Sequence, residues 1–414
     1  MQTADLTIAA LGASGDGVAE LDGHPAYVPF TLVGEQVRAR VSGERGELEA
    51  VLQPSAHRVA PPCPHFGRCG GCALQHFDPA PYLAWKVEQV RLALGRERIE
   101  TEFATPFAAA PGSRRRLALH ARKSGRHVTL GYKARGTWDL VEIAVCAIAE
   151  PRLVAALPAL AACASPLFEH AKSAPILHVT STLTGLDVDV SGVEARRGGL
   201  SADSRRRVAD AAQAGGLARL TLAGEALFQA RRPIVRFGAA SVAPPPGGFL
   251  QAVEAAEVAM AAFACEAIQG ADRVADLYCG SGAFSFRLAE TASVLAIDGT
   301  ASAVEALRQA IATAPGLKQI TTEARDLARR PLLAMEMKRL DAVLFDPPRA
   351  GALEQVREIA PSKVSRAVGV SCNPATFARD ARVLVDAGFH LTRVLPVDQF
   401  LWSPHIELVG VFER

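Results

Sequence analysis

The chain has no apolar run long enough to cross a bilayer, and residues 1–10 lack the basic start and apolar block of a secretory leader, so a cytoplasmic protein is expected. Net charge is only +2 across 45 basic and 43 acidic residues, so no global field draws polyanions, and any contact with nucleic acid needs local basic patches. Cysteine is scarce: eight in 414 residues do not make a secreted disulfide framework, and clustered cysteines in a reducing compartment mean metal or catalysis. With 49% hydrophobic and 21% charged residues, the chain reads as soluble and globular, too long for one core and so divided into two or three domains.

Residues 1 to about 55 alternate apolar and polar in five short runs, 6–8, 17–21, 26–30, 37–41 and 48–52, parted by turns such as Gly12-Ala13-Ser14-Gly15-Asp16-Gly17. The pattern predicts a small β-barrel of the oligonucleotide-binding type, or another small β-domain. Next comes Cys63-Pro64-His65-Phe66-Gly67-Arg68-Cys69-Gly70-Gly71-Cys72, a C-x5-C-x2-C spacing whose glycines let three sulfurs converge on one centre. The fourth ligand is either His76, which gives a structural zinc site, or Cys146, with which four thiolates suit a [4Fe-4S] cluster or zinc equally. From residue 78 to 100, the spacing of Tyr82, Trp85, Val90 and Leu94 predicts a helix with one apolar face. Residues 101–240 read as mixed α/β and carry Ser113-Arg114-Arg115-Arg116, Arg122-Lys123, Arg126, Lys133 and Arg135, and later Arg231-Arg232 and Arg236. These make either a solvated face or, interleaved with His120, His127, Tyr132 and Trp138, a track for a phosphate backbone with platforms for bases. Val242-Ala243-Pro244-Pro245-Pro246-Gly247-Gly248 reads as a linker.

Beyond it, strand and helix signals alternate, as a parallel sheet with crossover helices requires. Helices are predicted over 253–268 and from about 283, strands over 274–277, 294–297, 342–345 and 367–370, and a final antiparallel pair over 391–395 and 406–412. Four strands then finish on one sheet edge, where open α/β sheets bind ligands, in Tyr278-Cys279-Gly280-Ser281-Gly282, Asp298, Asp346-Pro347-Pro348-Arg349 and Ser371-Cys372-Asn373-Pro374. Gly280 and Gly282 let a ligand approach backbone amides, and Asp298 can take both hydroxyls of a ribose. A dinucleotide fingerprint asks for a third glycine where Ser285 stands, so a nucleoside without pyrophosphate fits better, S-adenosylmethionine being the common one; a tight turn without a ligand is the plain alternative. Pro374 ends the strand and holds Asn373 extended, which puts Cys372 on a turn where its thiolate can attack. Cys279 reads as packing. A base serving Cys372 must reach the same edge; residues 405 and 407 share one face of the last strand, with Glu407 the first candidate and His405 the second.

Leu11-Gly12, Gly15-Asp16-Gly17-Val18-Ala19, Val28-Pro29-Phe30 and Gly34-Glu35 resemble the TRAM domain, an RNA-binding β-barrel found at the front of some tRNA- and rRNA-modifying enzymes. Cys372 in Ser-Cys-Asn-Pro, Asp346 in Asp-Pro-Pro-Arg, His405-Ile406-Glu407, Phe249-Leu250-Gln251 and the cysteines 63, 69, 72 and 146 together resemble the RNA uracil-5-methyltransferase family over essentially the whole chain. The front barrel and four cysteines are most similar to the branch modifying 23S ribosomal RNA, which carries a [4Fe-4S] cluster; the tRNA branch lacks both. The resemblance implies an α/β protein of three parts: a TRAM-like barrel (1–55), a central α/β cluster- and RNA-binding domain (56–247), and a Rossmann-like class I methyltransferase domain (248–414). The helix near 79–100 is expected against the third part, and the protein is expected to act as a monomer on RNA. By position, Gln251, Tyr278, Asp298, Asp326 and Asp346 would line the methyl-donor and uracil pocket beside Gly280, and Phe249 would stack on the flipped uracil. Cys372 would be the nucleophile, Glu407 the base, and Cys63, Cys69, Cys72 and Cys146 the cluster ligands. Val253 and Ala283 stand where the family usually has asparagine, and Asp298 where it often has glutamate. Rival readings are an RNA-binding iron-sulfur protein that has lost catalysis, the same chemistry on tRNA, and an iron-sulfur redox protein, which the missing third glycine disfavours.

Overall fold

Strict alternation makes the front of the chain curl. In Gln36–Ser42, Val37, Ala39 and Val41 point inward and their neighbours outward, so one face of the sheet is apolar and closes on itself. A computed structural model describes residues 2–194 and 199–414. Its front sheet has six strands, in the order Gln2–Thr7, Gln36–Ser42, Arg45–Gln53, His24–Val28, Gly17–Leu21 and Ala10–Leu11. Ala10–Leu11 is one more than the five expected; at two residues it is too short to show a period. The chain leaving the first strand donates from Ala9 N–H to the Val18 carbonyl at 2.8 Å, which brings the ends of the sheet together around Leu6, Ile8, Ala26 and Val28. Gly17 is obligatory there, since a Cβ would lie 2.0 Å from Thr31 Oγ1.

A second, seven-stranded sheet occupies the middle of the chain, from Leu140–Glu142 at one edge through Arg116–Ser124 and Ile176–Thr182 to Glu225–Gln229 at the other. The helices Leu157–Ala164 and Ala202–Ala214 share its core of Leu117, Leu119, Val179 and Val188. The expected linker begins later than predicted. Val242 is buried in a two-stranded ribbon, Val235–Phe237 with Ala240–Val242, and the Pro244 carbonyl accepts from Arg219 at 3.0 Å.

The last sheet is doubly wound. Ile320–Ala324, Ser293–Asp298, Arg273–Leu277, Ala342–Phe345 and Arg366–Ser371 lie parallel in that order, with Arg273–Leu277 at the point where the winding reverses. Glu407–Glu413 then runs antiparallel to Arg366–Ser371, and His390–Asp398 pairs beside it. Two short strands from much earlier in the chain, Glu102–Phe103 and Phe107–Ala108, pair with His390–Asp398. The preceding helix, Pro79–Arg96, buries Tyr82, Val90 and Leu94 as expected but leaves Trp85 half-buried and fully buries Lys86. The helix expected from residue 283 is only Ser285–Leu288, because Ser285 turns inward to donate to the buried Asp276 carboxylate.

The arginine run is structural where a surface track was considered. Arg115 is buried, and its guanidinium donates to Glu257 Oε2 at 2.6 Å and to the Gln251 carbonyl at 3.0 Å. Arg116 donates to the carbonyls of Leu250 at 2.8 Å and Gly248 at 3.0 Å. These bonds fasten the middle sheet to the segment that enters the last one. Glu257, fully buried on the helix Glu254–Ala267, also accepts from Arg287 at 3.1 Å. Glu257→Ala leaves a buried guanidinium without its counter-charge and is expected to cost about 3–5 kcal/mol of unfolding free energy, read from the urea midpoint; a loss under about 1 kcal/mol contradicts that role.

Candidate active site

The carboxyl edge of the last sheet is shaped first by backbone sterics. After Leu277 the chain turns through Tyr278 (φ 63°), Gly280 (φ 54°) and Gly282 (φ 97°), all in the left-handed region. A Cβ on Gly282 would lie 2.8 Å from the Phe286 ring, whereas the Cβ direction of Gly280 is open. Gly280 N–H donates to Asp298 Oδ2 at 2.9 Å, and Asp298 Oδ1 accepts from Thr300 N–H at 2.6 Å, so Asp298 locks two adjacent strand-end turns together. Asp326 is exposed just beyond Ile320–Ala324 and accepts from Ala328 N–H at 3.0 Å. Burial, with Asp380, Asp326 and Asp298 nearby, pushes the Tyr278 phenol up to about 12.

The other half of the edge is a line of side chains. Asp346, at the end of Ala342–Phe345, accepts from Gln251 Nε2 at 3.2 Å. Gln251 Oε1 accepts from Gln399 Nε2 at 2.7 Å, and the same Gln399 amide donates to Glu407 Oε1 at 3.0 Å. Gln399 Oε1 in turn accepts from Val253 N–H at 3.4 Å. Val253 thus serves the line through its backbone while its side chain is buried. Cys372 is half-buried on the turn between Arg366–Ser371 and the helix Pro374–Asp386, which Asn373 caps by accepting from Ala375 N–H at 3.1 Å.

These groups act on one another electrostatically. Burial raises the Cys372 thiol, and the Glu407 and Asp346 carboxylates raise it further against a smaller pull from Arg349. Burial pushes Glu407 up to about 8, with Asp346 adding to it and the Gln399 amide opposing. Asp346 rises to about 7 by burial, against the Gln251 hydrogen bond. Two carboxyls near neutrality beside one thiol can give and take protons at ordinary pH. His405 lies outside the line, its ring edge-on to Phe400 at 6.1 Å and its imidazole lowered by burial. Phe249 is 70% exposed, two residues before Gln251, with the Arg116 guanidinium 5.7 Å from its ring.

Gln399 was missed by the sequence reading. The strand His390–Asp398 runs three residues past its expected end, and that continuation brings Gln399 to the edge.

Away from this edge, Cys63, Cys69, Cys72 and Cys146 line one cavity of about 270 Å³ together with Phe66 and Tyr132. His76 does not line it; the ring is buried with those of Phe30 and Phe66, at 6.5 and 5.5 Å. Among the described residues no three His, Cys, Asp or Glu side chains close on a single ion.

Residues 244–414 match the family model for tRNA (uracil-5-)-methyltransferase. An RNA methyltransferase of Caulobacter vibrioides is 62% identical over 99% of this chain and 100% of its own. The 23S rRNA (uracil(1939)-C(5))-methyltransferase RlmD of Pectobacterium atrosepticum is 32% identical, over 98% of this chain and 93% of its own. The chain belongs to the RNA uracil-5-methyltransferase family. Its fold matches that of Pyrococcus abyssi tRNA (uracil-54, C5)-methyltransferase, solved with S-adenosyl-L-homocysteine, with a TM-score of 0.77 over 99% of both chains at 22% identity.

For this RNA uracil-5-methyltransferase, the raised Glu407 carboxyl is a measurable property of the resting site. Its protonation, followed by the carboxyl infrared band missing from Glu407→Gln, is expected to have a midpoint near 8, and Gln399→Leu, which removes the opposing hydrogen bond, moves it higher. A midpoint at the ordinary 4.5 contradicts the burial described.

Proposed function

We propose that this enzyme methylates carbon 5 of a uridine in 23S ribosomal RNA, with Cys372 as nucleophile and Glu407 as base. The observation that carries this reading is the convergence of a half-buried thiol and a buried, proton-holding carboxyl on one strand edge. Carbon 5 of uracil is too weak a nucleophile to take a methyl group unaided. The Cys372 sulfur, its proton lost to solvent, bonds to carbon 6, and the electrons of the C5–C6 double bond move onto the ring as an enolate. Carbon 5 then bonds the methyl group that S-adenosylmethionine would supply, the methyl–sulfur bond breaking to leave S-adenosylhomocysteine. The Glu407 carboxylate takes the proton from carbon 5, the C5–C6 double bond reforms, and the C6–S bond breaks to return the thiolate.

The donor fits the Gly280 turn. The space over Gly280 is open, Asp298 and Asp326 stand at neighbouring strand ends, and Tyr278 lies beside them. Gln251 and Asp346 would border donor and uracil, and the exposed Phe249 ring is free to stack on a base flipped from its RNA. Choice of 23S over transfer RNA is supported by the 32% identical relative of that specificity. The front of the chain does not separate the two, since the fold match to the tRNA (uracil-54, C5)-methyltransferase spans 99% of both chains, against the expectation that the tRNA branch lacks the barrel.

The cysteine cavity fits a polynuclear group better than one ion. Four cysteine sulfurs share it, its volume of about 270 Å³ is large, and no tight ion-sized set forms among the described residues. Cys63, Cys69, Cys72 and Cys146 would hold a [4Fe-4S] cluster there and tie the 63–72 loop to the middle sheet. Protein prepared without oxygen is expected to carry about four irons per chain, lost in Cys146→Ser but kept in His76→Gln; one zinc per chain would support the single-ion alternative.

With RNA containing 5-fluorouridine and methyl donor, the wild type is expected to form a stable covalent complex that Cys372→Ala cannot form. With ordinary RNA, Glu407→Gln accumulates the methylated adduct, because carbon 5 keeps its proton. Breakdown of the methylated adduct in the wild type rises roughly tenfold from about pH 7 to 9, as the ionised fraction of a base near pH 8 grows from about a tenth to nine-tenths. A complex formed by Cys372→Ala removes the nucleophile assignment, and loss of 5-methyluridine from tRNA alone in a strain lacking the gene removes the ribosomal one.

A further inference from the structure

One buried cation has no part in the chemistry above. Lys86 is fully buried on the helix Pro79–Arg96, far in sequence from the strand ends that make the site. Its ammonium contacts the Asp398 carboxylate, the Tyr82 hydroxyl at 3.0 Å and the Phe400 carbonyl at 3.3 Å. Asp398 and Phe400 are the two neighbours of Gln399. The grip extends along the same loop: Tyr82 OH accepts from Trp402 N–H at 2.8 Å, and the Trp402 carbonyl accepts from Ala73 N–H at 2.8 Å and Leu74 N–H at 3.0 Å. Trp402 has φ 58°, a conformation a bulky residue does not choose unaided, so surrounding contacts hold it there. Five residues later the chain enters Glu407–Glu413.

Stability alone does not account for this pair. A buried lysine and aspartate lose their hydration, and a matched apolar pair commonly serves the fold as well. The pairing is also incomplete: Asp398 Oδ2 has no hydrogen-bond partner among the described residues. What the ion pair provides is a fixed place for the backbone on either side of Gln399, whose amide bridges Gln251 and Glu407.

We propose that Lys86 is a positioning residue for removal of the carbon 5 proton, holding the 398–402 loop so that Gln399 keeps Glu407 in place beside Cys372. This rests on the reading of Cys372 and Glu407 given above. Lys86 touches neither substrate nor donor, and it acts through Asp398, Phe400 and Gln399.

The test separates the two halves of the reaction. Trapping on 5-fluorouridine RNA needs Cys372 and methyl transfer but no proton removal, whereas turnover on ordinary RNA needs both. The Lys86→Met/Asp398→Leu double variant exchanges the ion pair for an apolar one. It is expected to trap 5-fluorouridine RNA within about threefold of the wild-type rate, while turnover on ordinary RNA falls roughly 10- to 100-fold and methylated adduct accumulates. Tyr82→Phe, which removes only a hydroxyl, is expected to show the same split with a smaller loss, and it decides the question by the same criterion if the double variant does not fold. A parallel loss of trapping and turnover, or no loss in either, overturns the proposal. Glu407→Gln is run beside them: if it splits and the Lys86 and Tyr82 variants do not, only the positioning role falls; if it does not split, the base assignment falls and the positioning role with it.

Discussion

The structure depends on the cost of placing charge at one half-dry sheet edge. Asp346 and Glu407 hold their protons to near or above neutrality chiefly because both are buried; the Asp346 carboxylate makes Glu407 harder still to ionise, and Asp298 does the same to Asp346. Cys372 shares that penalty. The proposed chemistry forms a thiolate, later removes a proton and then releases the thiolate, and for the proton step the two carboxyls change charge readily near pH 7. Burial with incomplete compensation supplies such groups, whereas a strong salt bridge would fix each in one state.

That arrangement needs an aligned support, and the chain provides it from distant segments. Gln251 arrives from the strap that Arg115 and Arg116 fasten to the middle sheet. Gln399 arrives from the end of a strand extended at its outer side by Glu102–Phe103 and Phe107–Ala108. Asp346 and Cys372 come from neighbouring parallel strands, which sets their separation by sheet geometry. Opposite them, the glycine turn after Arg273–Leu277 sits where the winding of the sheet reverses, so in the proposed reading donor and nucleophile would face each other across that reversal.

Much of this was legible in the residues. Strand ends followed by Asp346-Pro347-Pro348 or Ser371-Cys372-Asn373-Pro374 announce themselves, because an apolar run meets a residue that cannot continue the ladder. Alternation in Gln36–Ser42 foretold the barrel. Other features carried no local signal. Two-residue strands show no period, and a glutamine beyond an apolar strand looks like any surface amide. Lys86 interrupts an apolar helix face and reads as solvated until its partner, more than three hundred residues away, is in view. The arginine run looked like a surface because burial of Arg115 depends on Glu257, which no spacing rule connects to it. His76 and Cys146 competed on spacing alone, and only the packing of His76 with Phe30 and Phe66 sets it apart from the cavity that Cys146 lines.

The central claim is that one sulfur adds to the ring while one carboxyl waits on the carbon beside it. A crystal structure of the enzyme trapped on 5-fluorouridine RNA tests it most directly. The account predicts continuous density from Cys372 Sγ to carbon 6 of the base, with the Glu407 carboxyl against carbon 5 and Gln399 still bridging to Gln251. Density joining the base to any other residue, or a Glu407 carboxyl turned away from carbon 5, would contradict it.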